Sequence, residues 1–395
     1  MSPANKPHGS IHQFVPMLHR RDAVGNHVLT IQAALRSLGV NSDVFVEIHD
    51  PETRADTKLI SEYSESALPG DLLVYHFATA SGIVDWLIAR PEPLAVIYHN
   101  ITPAESFAPW NYAIFEHQNR ALEELSRLSS HARFAIGVSV FNKMDLQSIG
   151  FDSVSVIPLP IESLANLASR AAHSPNNGDK KAVGAGNTKW LTVGRLAPNK
   201  SVEQVIAGLF VYRRQYDQQA TLDIIGRGSF PEYVSALKAF AIGLGLDDAV
   251  RFMGSVSDLQ LESYYLDSDV LIVASKHEGF CVPLLEAMAA QLPIVARRSG
   301  AIPEVLGDAG IFLETGGPME IAAAVDSLMT DGSKRADYIA RGMKRLAILT
   351  QDDAANRYAK ELIRFSEIGF GSMGAGLRNR NRVDKSRKYS RRAAN

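Results

Sequence analysis

The sequence predicts an α/β protein made of two doubly wound, Rossmann-like domains that face each other across a crevice. Three observations lead to this prediction. Short apolar runs of strand length alternate with segments of helical periodicity in both halves of the chain. A polar, glycine-rich stretch at 171–187 separates the halves and is expected to be a linker or exposed loop. The 395 residues are enough for two domains of ordinary size.

Composition limits the classes of protein to consider. Hydrophobic residues make up 46% of the chain, charged residues 21%, and the net charge is −2, so the whole chain is no obvious nucleic-acid binder. Cys281 is the single cysteine, which excludes an internal disulfide and fits a reducing compartment. The start lacks an apolar signal core, and no apolar run approaches the ~20 residues of a membrane span. We therefore expect a cytoplasmic protein, at most peripheral on the cytoplasmic face of a membrane.

Residues 1–170 are predicted to form the acceptor-side domain. A first strand at 11–16 and a helix at 28–38 flank a glycine-containing turn, and such a turn faces the crevice of a doubly wound sheet. The candidate acceptor-side residues of this turn are Asp22, Gly25, Asn26 and His27. The alternative is an ordinary turn in which Asn26 caps the helix.

Two later strands of this domain also end in polar residues. The segment YHNITP puts His99 at the carboxyl end of a strand, and SVFNKMDL puts Ser139 and Asn142 directly after another. Ligands bind at such ends in doubly wound sheets. The alternatives are a loop histidine with ordinary partners and, for Ser139 and Asn142, helix capping.

Residues 188–350 are predicted to form a second Rossmann-like domain. Its opening segment KWLTVGRLAPNK places Gly194, Arg195 and Lys200 between a strand and a helix, where two cations suit a diphosphate. A helix at 351–370 is expected to return to the N-terminal domain. The tail 371–395 has eight positive residues and one negative, and is expected to be disordered.

The segment DVLIVASKHEGFCVPLLEAMAAQLPIVAR, from Asp269 to Arg297, has the pattern strand, loop, helix, strand. The amide groups at the start of its helix form an anion site. Glu278 and Glu286, with seven residues between them, can accept hydrogen bonds from hydroxyls. Gly279 allows the backbone to approach a ligand closely. This combination suits a sugar joined to a nucleotide.

EGFCVPLLEAMAAQLPIVA resembles the E-x7-E signature of the retaining family 4 glycosyltransferases, which have the GT-B fold. The resemblance implies that Glu278 binds the donor sugar and Glu286 the ribose hydroxyls. It also implies a diphosphate contact for Arg195 and Lys200 and a sugar contact for His99. Cys281 stands where the family commonly has glycine. If it lies at the start of the predicted helix beside the diphosphate, its thiolate is expected to be favoured. The remaining residues of the expected donor site are Gly194, Gly279, Phe280, Cys281 and Val282.

We therefore expect a retaining glycosyltransferase that moves a sugar from a UDP- or GDP-linked donor to a hydroxyl acceptor, in polysaccharide or glycolipid synthesis. Its expected catalytic residues are His99, Arg195, Lys200 and Glu278. No cofactor is expected besides the nucleotide sugar. No metal is expected, because the D-x-D sequence at 267–269 precedes its strand instead of following it.

Alternative functions remain at this stage. A nucleotide-sugar epimerase or phosphorylase has the same fold and would convert or use the same donor. A nucleic-acid-binding or base-modifying protein would depend on the basic tail, which could equally contact anionic lipid or be a solvated end. A scaffold that has lost catalysis is disfavoured by the intact motif.

Overall fold

The computed structural model describes residues 9–19, 23–68, 70–161, 164–173 and 187–371. It confirms the predicted fold class, with two parallel sheets and helices alternating with the strands. The central strands of both sheets consist mainly of buried apolar residues, as expected for strands covered on both faces. In the part of the chain described, no helix is long and apolar enough to cross a bilayer.

The N-terminal sheet contains the first seven strands, in the order β3-β2-β1-β4-β5-β6-β7, all parallel. The strand order reverses between β1 and β4, which is where doubly wound sheets bind ligands. The strands are β1 (Ile11–Val15), β2 (Val44–Val46), β3 (Lys58–Leu59), β4 (Leu72–Phe77), β5 (Leu94–Tyr98), β6 (Phe134–Gly137) and β7 (Val154–Val156).

Helices connect these strands and cover the sheet. Ser139 begins one of them as an N-cap, and Asn111 begins another in the same way. The helices are α1 (Ala23–Ser37), α2 (Ile60–Ser66), α3 (Ile83–Ile88), α4 (Tyr112–Ser129), α5 (Val140–Ile149) and α6 (Leu164–Ala172).

The C-terminal sheet is also parallel, in the order β10-β9-β8-β11-β12-β13. Here the order reverses between β8 and β11, so the loops after these two strands are neighbours. The strands are β8 (Lys189–Val193), β9 (Thr221–Ile225), β10 (Val250–Gly254), β11 (Val270–Val273), β12 (Ile294–Arg297) and β13 (Ile311–Leu313).

Four helices of this half have proline at their first or second position. An N–H at that position would have no intrahelical partner, so its absence breaks no helical hydrogen bond. The helices of this half are α7 (Val202–Gln215), α8 (Pro231–Gly243), α9 (Asp258–Asp267), α10 (Val282–Ala289), α11 (Ile302–Leu306), α12 (Pro318–Thr330), α13 (Gly332–Leu349) and α14 (Ala354–Gly371).

The last helix lies on the N-terminal sheet. Tyr358 and Leu362 of α14 are buried with Ile31 and Leu35 of α1, and the Tyr358 hydroxyl donates to the Ile157 carbonyl at 2.5 Å. An apolar face of the helix therefore joins the core of the first domain.

Side chains of the two domains also pack directly on each other. Phe107 is fully buried and stacks on Phe230 with ring centroids 5.2 Å apart, and Trp110 meets Tyr233 edge to face at 4.9 Å. Glu304 bonds the backbone N–H groups of Val140 (2.6 Å) and Phe141 (3.0 Å). A carboxylate of the second domain thus caps α5 of the first, where the helix dipole favours negative charge.

Several local predictions need correction. Gly25 and Asn26 were expected in a turn, yet α1 begins at Ala23, so both are helical and Asn26 is not its cap. The expected linker begins too early, since residues 171–172 end α6. Residues 174–186 of that linker, Asp22 and the tail from 372 lie outside the described residues.

Candidate functional site

The candidate site begins at the carboxyl ends of β8 and β11. Because these strands are paired, the loop that follows β8 lies beside the loop that enters α10. Lys200 from the first loop and Glu278 from the second form an ion pair with Nζ and Oε1 2.6 Å apart. Glu278 is buried and Lys200 half-buried, so solvent screens the pair less than it would on an open surface.

Backbone contacts hold these two loops together. Asn199 accepts the Lys276 N–H at its carbonyl (2.8 Å) and donates its amide to the His277 carbonyl (3.3 Å). The Glu278 carbonyl accepts from Ala301, and a β-carbon on Gly300 would lie 2.4 Å from that oxygen. The backbone that carries Glu278 is therefore fixed from both sides.

Glycines around the site serve close approach between chain segments. Gly194 has φ +143°, and its α-carbon faces Lys200. A β-carbon on Gly226 would lie 1.9 Å from the Gly194 carbonyl, so glycine directly after β9 lets the two loops pack closely. Gly279 was expected to make room for a ligand, but the neighbour it accommodates is Asn100 of the other domain, 2.4 Å from the position of a β-carbon.

A small pocket opens beside the ion pair. It is lined by backbone and side-chain atoms from the ends of β8, β9 and β11, including Gly194, Lys200 and Ser275. Arg195 is exposed next to this pocket and its guanidinium lies over the Phe230 ring at 5.9 Å. One cation is thus fixed against a carboxylate, and a second stands on an aromatic ring at the domain interface.

Glu286 occupies the second turn of α10. Its Oε2 accepts a hydrogen bond from the Tyr265 hydroxyl at 2.6 Å. Burial raises the pKa of the Glu286 carboxyl, while the bond from Tyr265 opposes that change. Tyr265 was not expected from the sequence, since a tyrosine in a mostly polar helix gives no sign of a buried carboxylate partner.

Cys281 and Phe280 depart from the expected arrangement. Both side chains belong to the apolar core of the second domain and are buried there. Cys281 has φ +75°, a left-handed conformation that favours glycine. A helix N-terminus was expected to favour its thiolate, but burial raises the pKa of the thiol well above its ordinary value, and Glu278 adds to this. Val282 is half-buried at the first position of α10.

The N-terminal domain contributes a chain of hydrogen bonds that ends at His99. The Gln13 side-chain amide donates its N–H to the Val28 carbonyl at 3.0 Å. This orients the Gln13 side-chain oxygen toward His76 Nε2, at 2.9 Å. That nitrogen must then carry the proton, so His76 Nδ1 accepts from His99 Nε2 at 3.0 Å. The chain sets the tautomer of His99 and leaves its Nδ1 as an acceptor.

Burial keeps these rings neutral. It lowers the pKa of His99 to about 3, and the pKa values of His76 and His27 fall well below the ordinary value for the same reason. His76 and Gln13 were missed at the sequence level because they lie inside apolar strands. The available signal was a polar residue in the middle of each buried run.

The other expected acceptor-side residues have mainly structural contacts. Ser139 caps α5 by accepting the Asn142 N–H at 3.0 Å, as the alternative interpretation held. Asn142 is fully buried and donates to the Tyr98 carbonyl at 3.2 Å. A β-carbon on Gly25 would lie 1.9 Å from the His19 carbonyl, and Asn26 is exposed on α1.

His277 and Asn100 complete the contact between the two halves of the site. His277 Nε2 lies 3.1 Å from Asn100 Oδ1, and its ring meets Phe141 edge to face at 5.5 Å. Asn100 follows His99 and has φ +88°. The loop that carries His99 therefore touches the loop that carries Glu278.

Asp267 and Asp269 lie at the opposite end of their strand from this site. Asp267 ends α9, and Asp269 accepts the Lys189 N–H at 2.9 Å at the start of β11. The D-x-D sequence thus stands at the amino edge of the sheet, whereas Lys200 and Glu278 stand at the carboxyl edge.

Comparison with known proteins shows which families and structures this chain resembles. Residues 175–345 match the family described as "Glycosyl transferases group 1". The chain is 30% identical over 191 residues to an uncharacterized glycosyltransferase of Methanocaldococcus jannaschii. The aligned region covers 47% of this chain and 46% of the relative. The chain is 29% identical over 161 residues to a GDP-mannose-dependent alpha-(1-6)-phosphatidylinositol monomannoside mannosyltransferase of Mycobacterium tuberculosis, covering 38% and 41%.

The whole fold also has a close structural counterpart. HepE from Anabaena, solved in complex with UDP-glucose, superimposes with a TM-score of 0.67 at 18% identity, covering 91% of this chain and 100% of that one. The fold is therefore GT-B, and residues 175–345 are similar in sequence to the group 1 glycosyl transferases. This match lies in the C-terminal half, and the chain aligns with less than half the length of the two curated relatives just described.

The environment of Glu286 predicts how its charge affects stability. The folded-state pKa of Glu286 lies above its unfolded value, so ionisation of the carboxyl destabilises the folded protein. This destabilisation is absent below about pH 4.5, where the carboxyl is protonated in both states, and grows as pH rises through that value. Glu286→Gln keeps an acceptor for Tyr265 and removes the charge. We expect it to unfold at higher urea concentration than the wild type at pH 7 and at the same concentration at pH 4. A lower midpoint at pH 7 would contradict this.

The buried thiol gives a second prediction. We expect native protein to react with a disulfide reagent such as DTNB at least a hundredfold more slowly than denatured protein, in which the one thiol should titrate fully. Absorbance of the released thiolate measures both rates. Rapid reaction of native Cys281 would contradict this prediction and show that the turn around Cys281 opens readily to solvent.

Proposed function

We propose that this protein is a retaining glycosyltransferase that moves a sugar from a UDP- or GDP-linked donor to a hydroxyl acceptor. The single observation that carries the proposal is the Lys200–Glu278 pair at 2.6 Å. It sets a cation for the diphosphate beside a carboxylate for sugar hydroxyls, at the point where strand order reverses.

The donor is proposed to lie along the C-terminal domain. Its diphosphate would face Arg195, Lys200 and the N-terminus of α10, while Glu278 would accept bonds from the sugar. Glu286 would accept bonds from the ribose hydroxyls. Its bond from Tyr265 uses one carboxylate oxygen and leaves the other for the ligand.

The chemistry proposed for this site is electrostatic. As the bond between sugar and diphosphate breaks, negative charge grows on the leaving oxygen, and Arg195 and Lys200 stabilise it. Glu278 holds Lys200 in place without a need for reorganisation during the reaction. His99, with Nδ1 available as an acceptor, would orient a sugar hydroxyl from the opposite domain. No metal is proposed for this step.

The acceptor is proposed to be a sugar or glycolipid hydroxyl, in polysaccharide or glycolipid synthesis at the cytoplasmic face of a membrane. The mannosyltransferase relative, whose name includes a phosphatidylinositol mannoside, supports an acceptor of this kind. The domain interface near His99 and His277 is the place for it, because it adjoins the proposed donor sugar.

Ligand binding tests the proposed donor class. Wild-type protein should be stabilised by a nucleoside-diphosphate sugar, by about 2.7 kcal/mol at 100 times the dissociation constant. Calorimetry with UDP- and GDP-sugars then identifies the donor, and Glu286→Ala should weaken it by about 1.5–3 kcal/mol. Equal affinity in the variant would contradict the ribose assignment. Conversion of the donor with no acceptor present would indicate an epimerase.

Lys200 provides the test of mechanism. Lys200→Ala should lower kcat about a hundredfold or more and weaken donor binding less, because the leaving group's charge grows in the transition state. Lys360→Ala, which removes an exposed lysine of α14, should retain full activity. Kinetics with excess chelator complete the experiment. If chelator abolished turnover and Mg²⁺ or Mn²⁺ restored it, with Lys200→Ala near wild type, the mechanism would be wrong.

A further inference from the structure

Three histidine rings converge in the N-terminal domain behind the cleft. His27 comes from α1, His76 from β4 and His99 from the loop after β5. Each offers a nitrogen that lies within 4.8 Å of the nitrogens offered by the other two. The ring centroids are 5.1 Å apart for His27 and His99, 5.7 Å for His27 and His76, and 5.3 Å for His76 and His99.

Hydrogen bonding explains only two of these rings. His76 and His99 share one proton between Nδ1 and Nε2. His27 is 1% exposed, yet neither of its ring nitrogens has a hydrogen-bond partner among the residues described. Buried polar atoms without a partner are rare and call for an explanation such as an ion.

We propose that His27, His76 and His99 together bind one divalent cation of the zinc class. Imidazole nitrogens suit Zn²⁺, Co²⁺ and similar ions, whereas Mg²⁺ and Ca²⁺ favour oxygen ligands. Zinc–nitrogen bonds of about 2.0–2.1 Å in a tetrahedron put the nitrogens about 3.3 Å apart. The His76–His99 pair already has 3.0 Å, so the adjustment falls mainly on His27.

The surroundings support the ligand set. Gln13 accepts the Nε2 proton of His76 at 2.9 Å, which leaves Nδ1 free to bind a cation. Metal-bound histidines usually have such a partner on the other ring nitrogen. The Gln13 amide is itself anchored on the Val28 carbonyl, beside His27 in sequence, and Tyr358 packs against His27 at 4.4 Å.

Binding would change the tautomer of His99. Its Nε2 proton now lies between His99 and His76, and a cation there would require that nitrogen to give up the proton to Nδ1. The fourth coordination position would be left for water or a ligand hydroxyl. The proposed cation has no part in the transfer step, in which Arg195 and Lys200 stabilise the negative charge of the leaving diphosphate.

The consequence for the donor rests on the proposed function. If His99 contacts the donor sugar, a bound cation changes its Nδ1 from an acceptor to a donor. Cation and nucleotide sugar would then alter each other's affinity by the same factor. Cation binding itself needs no nucleotide sugar, so its test is independent of whether the protein is a transferase.

The experiment titrates the full chain, free of any histidine tag and treated with chelator, with Co²⁺ alone. We expect one equivalent to give the visible absorption of tetrahedral Co²⁺, and Zn²⁺ to displace it in the same stoichiometry. His27→Ala should lose this absorption and bind at least a hundredfold more weakly. His131→Ala, which removes an exposed histidine, is the matched control and should behave as wild type.

A second variant covers the case in which His27→Ala fails to fold. Gln13→Ala leaves all three ligands in place and should weaken Zn²⁺ roughly 10–100-fold, the usual effect of removing a histidine's outer partner. Circular dichroism confirms folding of each variant. Absence of a tetrahedral Co²⁺ spectrum in the wild type, or unchanged Zn²⁺ affinity in folded His27→Ala or Gln13→Ala, would overturn the proposal.

Discussion

The pairing of β8 with β11 is the constraint on which the candidate site depends. These strands are separated by about eighty residues, but their parallel contact places the loops after them side by side. Lys200 and Glu278 can reach each other only because of this contact. A buried carboxylate would be unfavourable without its cation, so the ion pair also stabilises the loop geometry that it needs. The position of the site is thus determined by the strand order of the sheet.

The second constraint is the close contact between the domains. Gly279 leaves space for Asn100, Asn100 meets His277, and Glu304 caps α5 from the opposite domain. Each contact joins a loop of one domain to a loop or helix end of the other. As a result, the loops that carry His99 and Glu278 touch each other at the domain interface.

The sequence predicted the fold class because its signal is local. Apolar runs of strand length, and glycine or proline at helix ends, predicted most of the buried strands and most of the long helices. The strands β3 and β13 and the helices α2, α6 and α8 were missed. Two strand residues in β3 and a seven-residue helix in α2 carry little periodicity. Gly25 and Asn26 were misplaced because α1 starts before its apolar spacing becomes regular.

The site was predictable only where residues near in sequence act together. Glu278 and Glu286 were visible as a pair because one loop and one helix carry both. The partner of each was not visible, since Lys200 lies 78 residues from Glu278 and Tyr265 lies 21 from Glu286. Cys281 was misjudged for another reason. Position at a helix start predicts a favoured thiolate, but burial has the larger effect on its pKa.

His99 connects the domain interface with the histidine cluster of the N-terminal domain. On one side it belongs to the loop that touches His277 through Asn100. On the other it ends the hydrogen-bond chain from Gln13 and His76, next to the His27 ring at 5.1 Å between centroids. A ring held by one nitrogen can offer only the other to a ligand, so whatever occupies the histidine cluster determines what His99 presents to the cleft. Gln13 of β1 and His76 of β4 are therefore explained by the orientation and proton of one imidazole, which apolar residues in their place could not fix.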